Sequence, residues 1–392
     1  MINNYLDKLV RTEVGFLHRR WSVFKLCACT GLALAIVMAM ILVSYLGLSY
    51  WVVAVLVLSS VAAYSILRMV TEAIIGRDAL IHYHHVIAVI LTATVVSWLL
   101  RQPVLPYLDV TIIGLGIILF CGRLGCLMVG CCHGRPHNWG VCYREEHAVA
   151  GIRPYFVGVR LFPVQCVESL WALGLALVGA AFVLAGRPPG DAFSWYLIAY
   201  ATGRFCFEFM RGDPARPYLG GFSEAQWTSL VLMCVIVWVE LSGPLTFHPW
   251  HALATACLML AMVVVTLARR LRKAAKHLLL HPRHVDEVAQ AVEWIANPGA
   301  EETAISEEGS VPPVIKIGTT SLGIQISASA IKQGGNCIYH YALSSQTGTI
   351  SEEIARILAG LILKLKHPCA VNELTKGNRG VFHLLIHPGQ TT

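Results

Sequence analysis

The sequence predicts an all-α polytopic membrane bundle of seven or eight transmembrane helices, followed by a small soluble α+β domain. Of its 392 residues, 56% are apolar and only 14% are charged, whereas a soluble globular chain is about 25% charged. Uncharged runs long enough to cross a bilayer recur up to residue 268, after which the composition becomes polar. These observations exclude an ordinary soluble enzyme, a disordered chain and a disulfide-bonded scaffold.

The first two spans are predicted in the longest uncharged run, which lies between Lys25 and Arg68. This run holds two helices of about 20 residues each, with the turn between them at 47–51. The predicted span at 108–122 is short for a bilayer, so we expect its helix to continue into the cysteine-rich stretch that follows. The remaining predicted spans are 84–100, 164–186, 192–211, 225–243 and 250–268.

Composition divides the chain into four segments. Residues 1–25 are polar and basic, 26–268 form the transmembrane helical domain, 269–312 form a basic helix and linker, and 313–392 form the soluble α+β domain. The third segment opens on a basic stop-transfer cluster of Arg269, Arg270, Arg272, Lys273 and Lys276. The soluble part is predicted to contain helices at 285–296 and 351–365, strands at 314–330, 337–344 and 381–386, a linker at 297–312 and a hairpin tip at 376–380.

The net charge of +7 indicates cytoplasmic loops and anionic lipid in a membrane chain, rather than a nucleic-acid partner. With eight spans, both termini lie on one side, and most Lys and Arg residues near the span ends fall on that side. The opposite loops offer little beyond Arg101 and Arg187. The bias therefore predicts that both termini and the soluble domain lie in the cytoplasm.

Charged groups inside the apolar runs are the candidate functional residues. A charge at the bilayer centre costs about 2.5–3.5 kcal/mol on insertion scales, so such residues are functional candidates by default. Helical spacing puts neighbours three or four residues apart on one face. The candidates are Arg123, the pair Gln165 and Glu168, the stripe Tyr200, Arg204, Glu208 and Arg211, and the histidines His82, His84 and His85.

Several buried arginines with glutamates favour a site for an anion, because the planar guanidinium matches phosphate oxygens. In a membrane the abundant phosphate is a lipid headgroup. Structural interpretations stay open for each group. Arg204 and Glu208 could form a structural pair that neutralises itself, and Arg123 could mark a helix end. Glu168 could be a buried carboxyl that packs between helices, and the histidines could be ordinary surface residues.

The stretch 122–136 is rich in glycine and cysteine. Its Cys131-Cys132-His133 run fits no standard zinc spacing, and adjacent cysteines are poor chelators, so the sequence predicts no metal and no cofactor. Cys126 and Cys131 are candidate reactive thiols, because Arg123 and Arg135, which flank them in the sequence, favour the thiolate. Inert packing is the alternative for these thiols.

Three segments resemble motifs of the prolipoprotein diacylglyceryl transferases, polytopic enzymes of the bacterial inner membrane. The family signature Gly-Arg-x-x-Asn-x-x-Asn-Gly-Glu-x-x-Gly-Arg lines up with 122–135. The motif His-Pro-x-Gln-x-x-Glu lines up with 162–168, and Tyr-x-x-x-Arg-x-x-x-Glu-Phe-x-Arg lines up with 200–211. The resemblance covers about 20–245, and the soluble domain has no counterpart in it.

The resemblance implies transfer of the diacylglyceryl group of phosphatidylglycerol to a prolipoprotein cysteine or another thiol acceptor, with release of glycerol phosphate. By the same resemblance, Arg123 and Arg204 would hold the phosphate, Glu208 would orient Arg204, and His84 would be the base, with His85 in reserve. The implied substrate-binding residues are Arg211, Tyr200, Gln165, Glu168, Gly134 and His85.

The chain departs from the family motifs at several positions. Cys126 and Val129 replace the two signature asparagines, Cys131 replaces the glutamate, and Phe162 replaces a histidine. The family works on the outer face, whereas the charge bias turns the arginines toward the cytoplasm. Two alternatives therefore remain: a non-catalytic lipid-binding or transport protein that kept the anion pocket, and a thiol-redox membrane protein.

Overall fold

The computed structural model describes residues 2–16, 19–75, 82–214, 216–271, 275–296, 316–333, 336–367 and 370–387. The helices within these ranges are α1 (Ile2–Leu9), α2 (Val23–Leu46), α3 (Tyr50–Ile75), α4 (His82–Leu99), α5 (Val104–Val129), α6 (Glu145–Ala150), α7 (Val164–Leu184), α8 (Asp191–Phe207), α9 (Glu224–Leu241), α10 (Pro249–Leu271), α11 (Ala275–Leu279), α12 (Pro282–Ala296) and α13 (Glu352–Lys366).

The strands are short outside the C-terminal part of the chain. They are β1 (Glu13–Phe16), β2 (Arg19–Ser22), β3 (Pro136–Cys142), β4 (Arg160–Leu161), β5 (Tyr218–Leu219), β6 (Phe222–Ser223), β7 (Ile317–Thr319), β8 (Ile324–Gln333), β9 (Asn336–Ser345), β10 (Val371–Lys376) and β11 (Phe382–His387). The first six strands pair as three two-stranded antiparallel hairpins or bridges between loops.

The protein is mostly helical, with six candidate membrane-spanning helices in the described part of the chain. These are α2, α3, α5, α7, α9 and α10, which are long and apolar enough to cross a bilayer. Helix α4 holds a shorter apolar stretch, Tyr83–Leu99, and α8 carries the polar stripe within 17 residues. Each predicted span therefore contains a helix.

Helix α5 is the central helix of the bundle. It packs against α2, α7 and α8, and 61% of its most apolar window is buried, compared with 17% for α3. The helix continues to Val129, which confirms the expectation that it extends past 122. Gly130 ends it in the left-handed region, at φ 84°.

A buried carboxylate joins α5 to α8 at the end of the bundle opposite Arg123. The two oxygens of Asp109 accept hydrogen bonds from the backbone N–H of Gly190 and Phe193, at 2.7 and 2.8 Å. They thus satisfy two donors at the start of α8 that have no partner within the helix. This capping fixes the height of α8, and of its polar stripe, relative to α5.

The C-terminal part of the chain forms a five-stranded antiparallel sheet in the order β10-β11-β9-β8-β7. Helices α12 and α13 pack on it, and alternate residues of β11 are buried beneath them. The Ser351 hydroxyl accepts the N–H of Ile354 at 3.3 Å and starts α13 where the sequence predicts. The predicted linker at 297–312 lies outside the described residues, as do Arg272 and Lys273.

The residues after Leu271, here called the C-terminal tail, dock on the loop between α5 and α7. The Tyr155 hydroxyl of that loop donates to Asp286 at 2.6 Å. The tail also contacts the segment between α8 and α9, where Arg283 donates to the carbonyl of Arg216 at 2.6 Å. Helix α1 docks on the loop between α5 and α7 as well, where Asp7 pairs with Arg160 at 3.0 Å. The N-terminal helix and the tail therefore share one end of the bundle.

Candidate functional site

Glu168, in the first turns of α7, is the centre of the candidate site. Its fully buried carboxylate has Oε1 at 3.1 Å from Arg123 Nη2 and 3.7 Å from Arg204 Nε. Its Oε2 lies 3.5 Å from Arg211 Nη1, and the Tyr200 hydroxyl donates to Oε1 at 2.8 Å. The structure thus brings together five residues that the sequence singled out on three different helices or helix ends.

A second set of contacts surrounds the first. Arg204 Nη1 lies 2.8 Å from Glu208 Oε2, and Arg216 pairs with the other oxygen of Glu208. Asp213 lies 2.9 Å from Arg211 Nε and 2.8 Å from Arg216 Nε. Sequence reasoning missed Arg216 and Asp213, although a charged pair directly after the polar stripe was the available signal.

These groups form what we call the arginine cluster: Arg123, Arg204, Arg211, Arg216, Glu168, Glu208 and Asp213. Four guanidinium groups face three carboxylates, so one positive charge is unbalanced. The side chains of Arg123, Arg204 and Arg211 are 7%, 4% and 1% exposed. A buried net charge is unfavourable without a counter-ion, so the cluster is suited to binding an anion.

Three donors of the cluster are buried and make no hydrogen bond within the described residues. They are Nε of Arg123, and Nε and Nη1 of Arg204. An unsatisfied buried donor costs about 1–3 kcal/mol. An anionic ligand oxygen would satisfy it.

Gly134 allows the three motif segments to meet. Its N–H donates to the carbonyl of Phe162 at 3.0 Å, and Arg135 N–H donates to Met210 O at 3.1 Å. A side chain at position 134 would place Cβ 2.9 Å from the Phe162 Cβ. Glycine is therefore required because three backbone segments approach each other closely at this point.

The turn after α5 carries three thiols, here called the thiol cluster: Cys126, Cys131 and Cys132. Their sulfur atoms all lie within 4.8 Å of one another. Gln165 Nε2 donates to the Cys131 carbonyl at 2.9 Å and ties this turn to α7. Hydrogen bonds from Cys126 and Cys131 lower the pKa of Cys132; burial opposes this, and the charges of Arg211 and Arg123 assist it.

The structure places the predicted histidines apart from the centre of the arginine cluster. His84 Nε2 lies 2.8 Å from Glu224 Oε1, and its side chain is 46% exposed. His85 is buried, with its ring 4.6 Å from that of Tyr64. The side chain of His82 lies outside the described residues. The role of His84 as a base therefore stays a prediction.

Tyr83, between the histidines, is the residue of this segment that faces the cluster. Its hydroxyl lies 2.7 Å from Ser229 Oγ, and its ring packs edge-on against Tyr200 with centroids 6.2 Å apart. Sequence reasoning missed Tyr83. The available signal was its position one residue before His84.

Asp213 is held ionised by its neighbours. Burial would raise the pKa of this carboxyl, but Arg211 and Arg216 outweigh burial and hold the pKa well below its usual range. Burial also lowers the pKa of His133, whose Nδ1–H donates to the Gly134 carbonyl at 2.8 Å. The two loops beside the cluster thus carry a fixed negative charge, at Asp213, and a neutral imidazole, at His133.

A cavity of about 330 Å³ opens beside Glu208, where the bundle meets the C-terminal tail. Its walls include Arg135, Arg269, His277 and His281. Neither Arg135 nor Arg269 has a carboxylate within 4 Å in the described part of the chain. This cationic cavity gives the arginine cluster an opening on the same side as the tail.

The fold and these contacts define a mostly helical protein with six candidate membrane-spanning helices and a buried cluster of arginines and carboxylates in the described part of the chain. Residues 80–242 match the family model described as prolipoprotein diacylglyceryl transferase. The resemblance that the motifs predicted is thereby confirmed over that stretch, which contains the whole arginine cluster.

Three curated relatives illustrate the extent of the similarity. The phosphatidylglycerol–prolipoprotein diacylglyceryl transferase 2 of Clostridium perfringens is 31% identical over 132 residues, which are 33% of this chain and 49% of the relative. The enzyme of Clostridium tetani is 30% identical over 138 residues, 35% of this chain and 53% of its own. That of Dehalococcoides mccartyi strain CBDB1 is 33% identical over 132 residues, 33% of this chain and 48% of its own. The chain thus spans about half the length of the curated relatives it matches.

Proposed function

We propose that this chain is a phosphatidylglycerol-dependent diacylglyceryl transferase that acts on a cysteine thiol. The observation that carries the proposal is the convergence of Arg123, Arg204 and Arg211 on one buried carboxylate, within the stretch that matches the family. The matched relatives are named for transfer from phosphatidylglycerol to prolipoprotein. The donor, the prolipoprotein or other thiol acceptor and the bilayer are part of this proposal.

The reaction breaks the bond between the glyceryl carbon and the phosphate oxygen. Negative charge develops on the departing glycerol phosphate, and preorganised guanidinium groups stabilise it. Arg123 and Arg204 would bind the phosphate, because Nε of each guanidinium is buried and makes no hydrogen bond in the described residues. Glu208 would orient Arg204, and Arg211, which pairs with Glu168 and Asp213, would assist them.

The remaining predicted residues have supporting roles in this proposal. Tyr200 and Glu168 hold the guanidinium groups in register, and Gln165 and Gly134 fix the surrounding backbone. The acceptor thiol must lose a proton before attack. We assign this step to His84, oriented by Glu224, with His85 in reserve.

We infer that the chain crosses a bacterial inner membrane seven or eight times, with the tail in the cytoplasm. Residues 26–268 would form the membrane domain, and 269–312 would lead to the soluble domain at 313–392. Two observations support this arrangement: the Lys and Arg bias, and the docking of α1 and the tail on one loop. The cavity beside Glu208 lies on the tail side as well, so an acceptor would reach the site from there.

A reporter fusion tests this orientation. Alkaline phosphatase, which is active only outside the cytoplasm, would be fused after Leu271 and, as a control, in the loop at Pro188, at the other end of the bundle. We expect activity only from the fusion at Pro188. Strong activity from the fusion after Leu271 would instead place the site on the outer face, where exported prolipoproteins are available.

A transfer assay tests the activity. The purified chain would be incubated with phosphatidylglycerol vesicles and a cysteine-containing lipobox peptide, and released glycerol phosphate and peptide thioether would be measured. We expect both products from the wild type and a loss of at least about 100-fold from Arg204→Lys, because lysine lacks the planar fork. Arg187→Lys is the matched control, since Arg187 pairs with Asp191 at the other end of the bundle.

A non-catalytic lipid-binding or transport protein is the second candidate. It is favoured by the cysteines and valine that stand at polar signature positions, Cys126, Val129 and Cys131. Saturable vesicle binding that depends on Arg204, without release of glycerol phosphate, would favour this candidate over transfer.

A further inference from the structure

The three thiols of the thiol cluster converge through an unusual backbone turn. Cys126 lies on the last turn of α5, while Cys131 and Cys132 follow Gly130, where the helix ends. Both Gly130, at φ 84°, and Cys132, at φ 55°, adopt the left-handed conformation. This conformation is uncommon for a residue other than glycine, asparagine or aspartate and is disfavoured sterically. The turn therefore keeps a costly geometry that directs two adjacent thiols back toward the third.

The spacing of the sulfur atoms fits a shared metal ion. Zinc binds thiolates at about 2.3 Å, so two ligands of a tetrahedral site lie about 3.8 Å apart. The sulfur atoms of the thiol cluster lie within 4.8 Å of one another, and small side-chain rotations would bring them to that separation. The sequence argument against a metal rested on the spacing of the cysteines, whereas this turn brings the two adjacent sulfur atoms close to the third.

The charge of the surroundings fits the same ion. The arginine cluster carries one unbalanced positive charge, and the Cys132 thiol interacts electrostatically with Arg123 and Arg211. A divalent ion on three thiolates carries one negative charge, so the positive charge of the neighbouring arginine cluster favours it. Three thiolates without a metal would leave an excess of negative charge at a half-buried place.

We propose that Cys126, Cys131 and Cys132 bind a divalent thiophilic metal ion of the zinc class, whose fourth position takes the acceptor thiol. No fourth His, Cys, Asp or Glu joins the three ligands in the described part of the chain. Three protein ligands and one exchangeable position are typical of zinc sites that take part in chemistry. A monovalent ion such as Cu⁺ on three thiolates would carry two negative charges, which exceeds the single unbalanced positive charge of the arginine cluster.

The role of the metal rests on the proposed transfer reaction. The acceptor thiol would bind the metal as a thiolate, with its proton passing to His84, the base assigned above. Its sulfur would then attack the glyceryl carbon of phosphatidylglycerol, so that a carbon–sulfur bond forms and the carbon–oxygen bond breaks. The electron pair leaves with glycerol phosphate, which the neighbouring Arg123 and Arg204 would hold. The metal replaces a strong base in making the thiolate available at neutral pH.

Cobalt substitution tests the binding site without reference to activity. The purified, metal-stripped full chain would be titrated with Co²⁺, and thiolate-to-cobalt charge-transfer absorption would be recorded and then reversed with Zn²⁺. We expect one equivalent bound by the wild type and by Cys166→Ser, a nearby thiol outside the cluster. We expect at least tenfold weaker binding by Cys131→Ser and none by the variant with all three ligands changed to serine. Equal binding by that triple variant, or no charge-transfer band in the wild type, would overturn the proposal.

Zinc protection against alkylation keeps the test decisive if the triple variant does not fold. The wild type would be treated with N-ethylmaleimide with and without Zn²⁺, and modified peptides would be identified by mass spectrometry. We expect Zn²⁺ to slow modification of the three ligands at least tenfold and to leave Cys166 unchanged. Modification of the three ligands at the same rate with and without Zn²⁺ would contradict a metal site.

The transfer assay separates the role of the metal from the proposed function. If the proposal holds, chelation lowers transfer at least tenfold and Zn²⁺ restores it. Undiminished transfer by a chain shown to be metal-free would refute the metal's part in thiol activation while leaving the transferase assignment intact.

Discussion

At the scale of single residues, Glu168 controls the site because one carboxylate contacts three guanidinium groups. Its two oxygens face Arg123, Arg204 and Arg211 at 3.1–3.7 Å. Each arginine is almost fully buried, so none of them can turn to water if Glu168 is lost. Removing one partner of a buried ion pair costs about 3–5 kcal/mol, because the other charge is left uncompensated.

Glu168→Gln is therefore expected to abolish transfer, with a loss of at least about 100-fold, and to lower the thermal unfolding midpoint in detergent. Activity and unfolding would be measured on the same preparations. Glu240→Gln is the matched control, since Glu240 is also buried. It lies near the C-terminal end of α9, where it pairs with His251 of α10. The control is expected to lose stability and keep activity, and wild-type transfer by Glu168→Gln would refute the role of this carboxylate.

Arg216 shows why some site residues escape a sequence pattern. It lies beyond the helical stripe that ends at Arg211, in a loop with no period of its own. The short turn nevertheless returns its guanidinium to Glu208 and Asp213. Loop geometry of this kind depends on the tertiary neighbours, so spacing alone cannot predict which charged loop residue joins the cluster.

At the scale of helices, α5 can sit at the centre of the bundle because small residues let its neighbours approach. A Cβ at Gly116 would lie 2.7 Å from the Tyr196 ring and 2.9 Å from Ala176 Cβ. Close packing between small residues is a main source of helix association in membranes, where lipid competes equally for apolar surface. The position of Gly116 thus brings α7 and α8, which carry Glu168 and Arg204, close to α5.

Gly116→Ala is expected to destabilise the protein by about 1–3 kcal/mol through overpacking. Gly174→Ala is the matched control in α7, because a Cβ there meets nothing within 4 Å. That change is expected to be neutral or to stabilise the helix by up to about 1 kcal/mol. Thermal unfolding in one detergent would measure both, and equal midpoints for the two variants would argue against close packing at Gly116.

At the scale of the whole molecule, the C-terminal tail and the membrane domain form a joint boundary around the cationic cavity. His277 and His281 of the tail face Arg135 and Arg269 of the bundle. Burial, together with the neighbouring His277 and Arg283, lowers the pKa of His281 to about 4. The imidazole is therefore neutral at neutral pH, and protonating it would add a further positive charge to this boundary.

His281 is expected to make the folded protein less stable as the pH falls from about 6.5 toward 4. The unfolded chain binds the proton near its ordinary pKa of about 6.5, while the folded chain resists it until about pH 4, so acid favours unfolding. Unfolding midpoints across this range would measure the effect. His281→Gln should flatten the acid limb, while His137→Gln, at an exposed position, should not; identical profiles for His281→Gln and the wild type would contradict the assignment.

Hydropathy and three- or four-residue spacing are local properties, so they predicted the apolar helices and the candidate residues on each helix face. It predicted the extension of α5, the start of α13 after Ser351, and the shared face of Arg204 and Glu208. Which helix faces meet follows from the packing of distant segments, as in the contact between Arg123 and Glu168. The place of Arg216 and the convergence of the three thiols depend instead on the geometry of irregular turns, which no periodic pattern predicts.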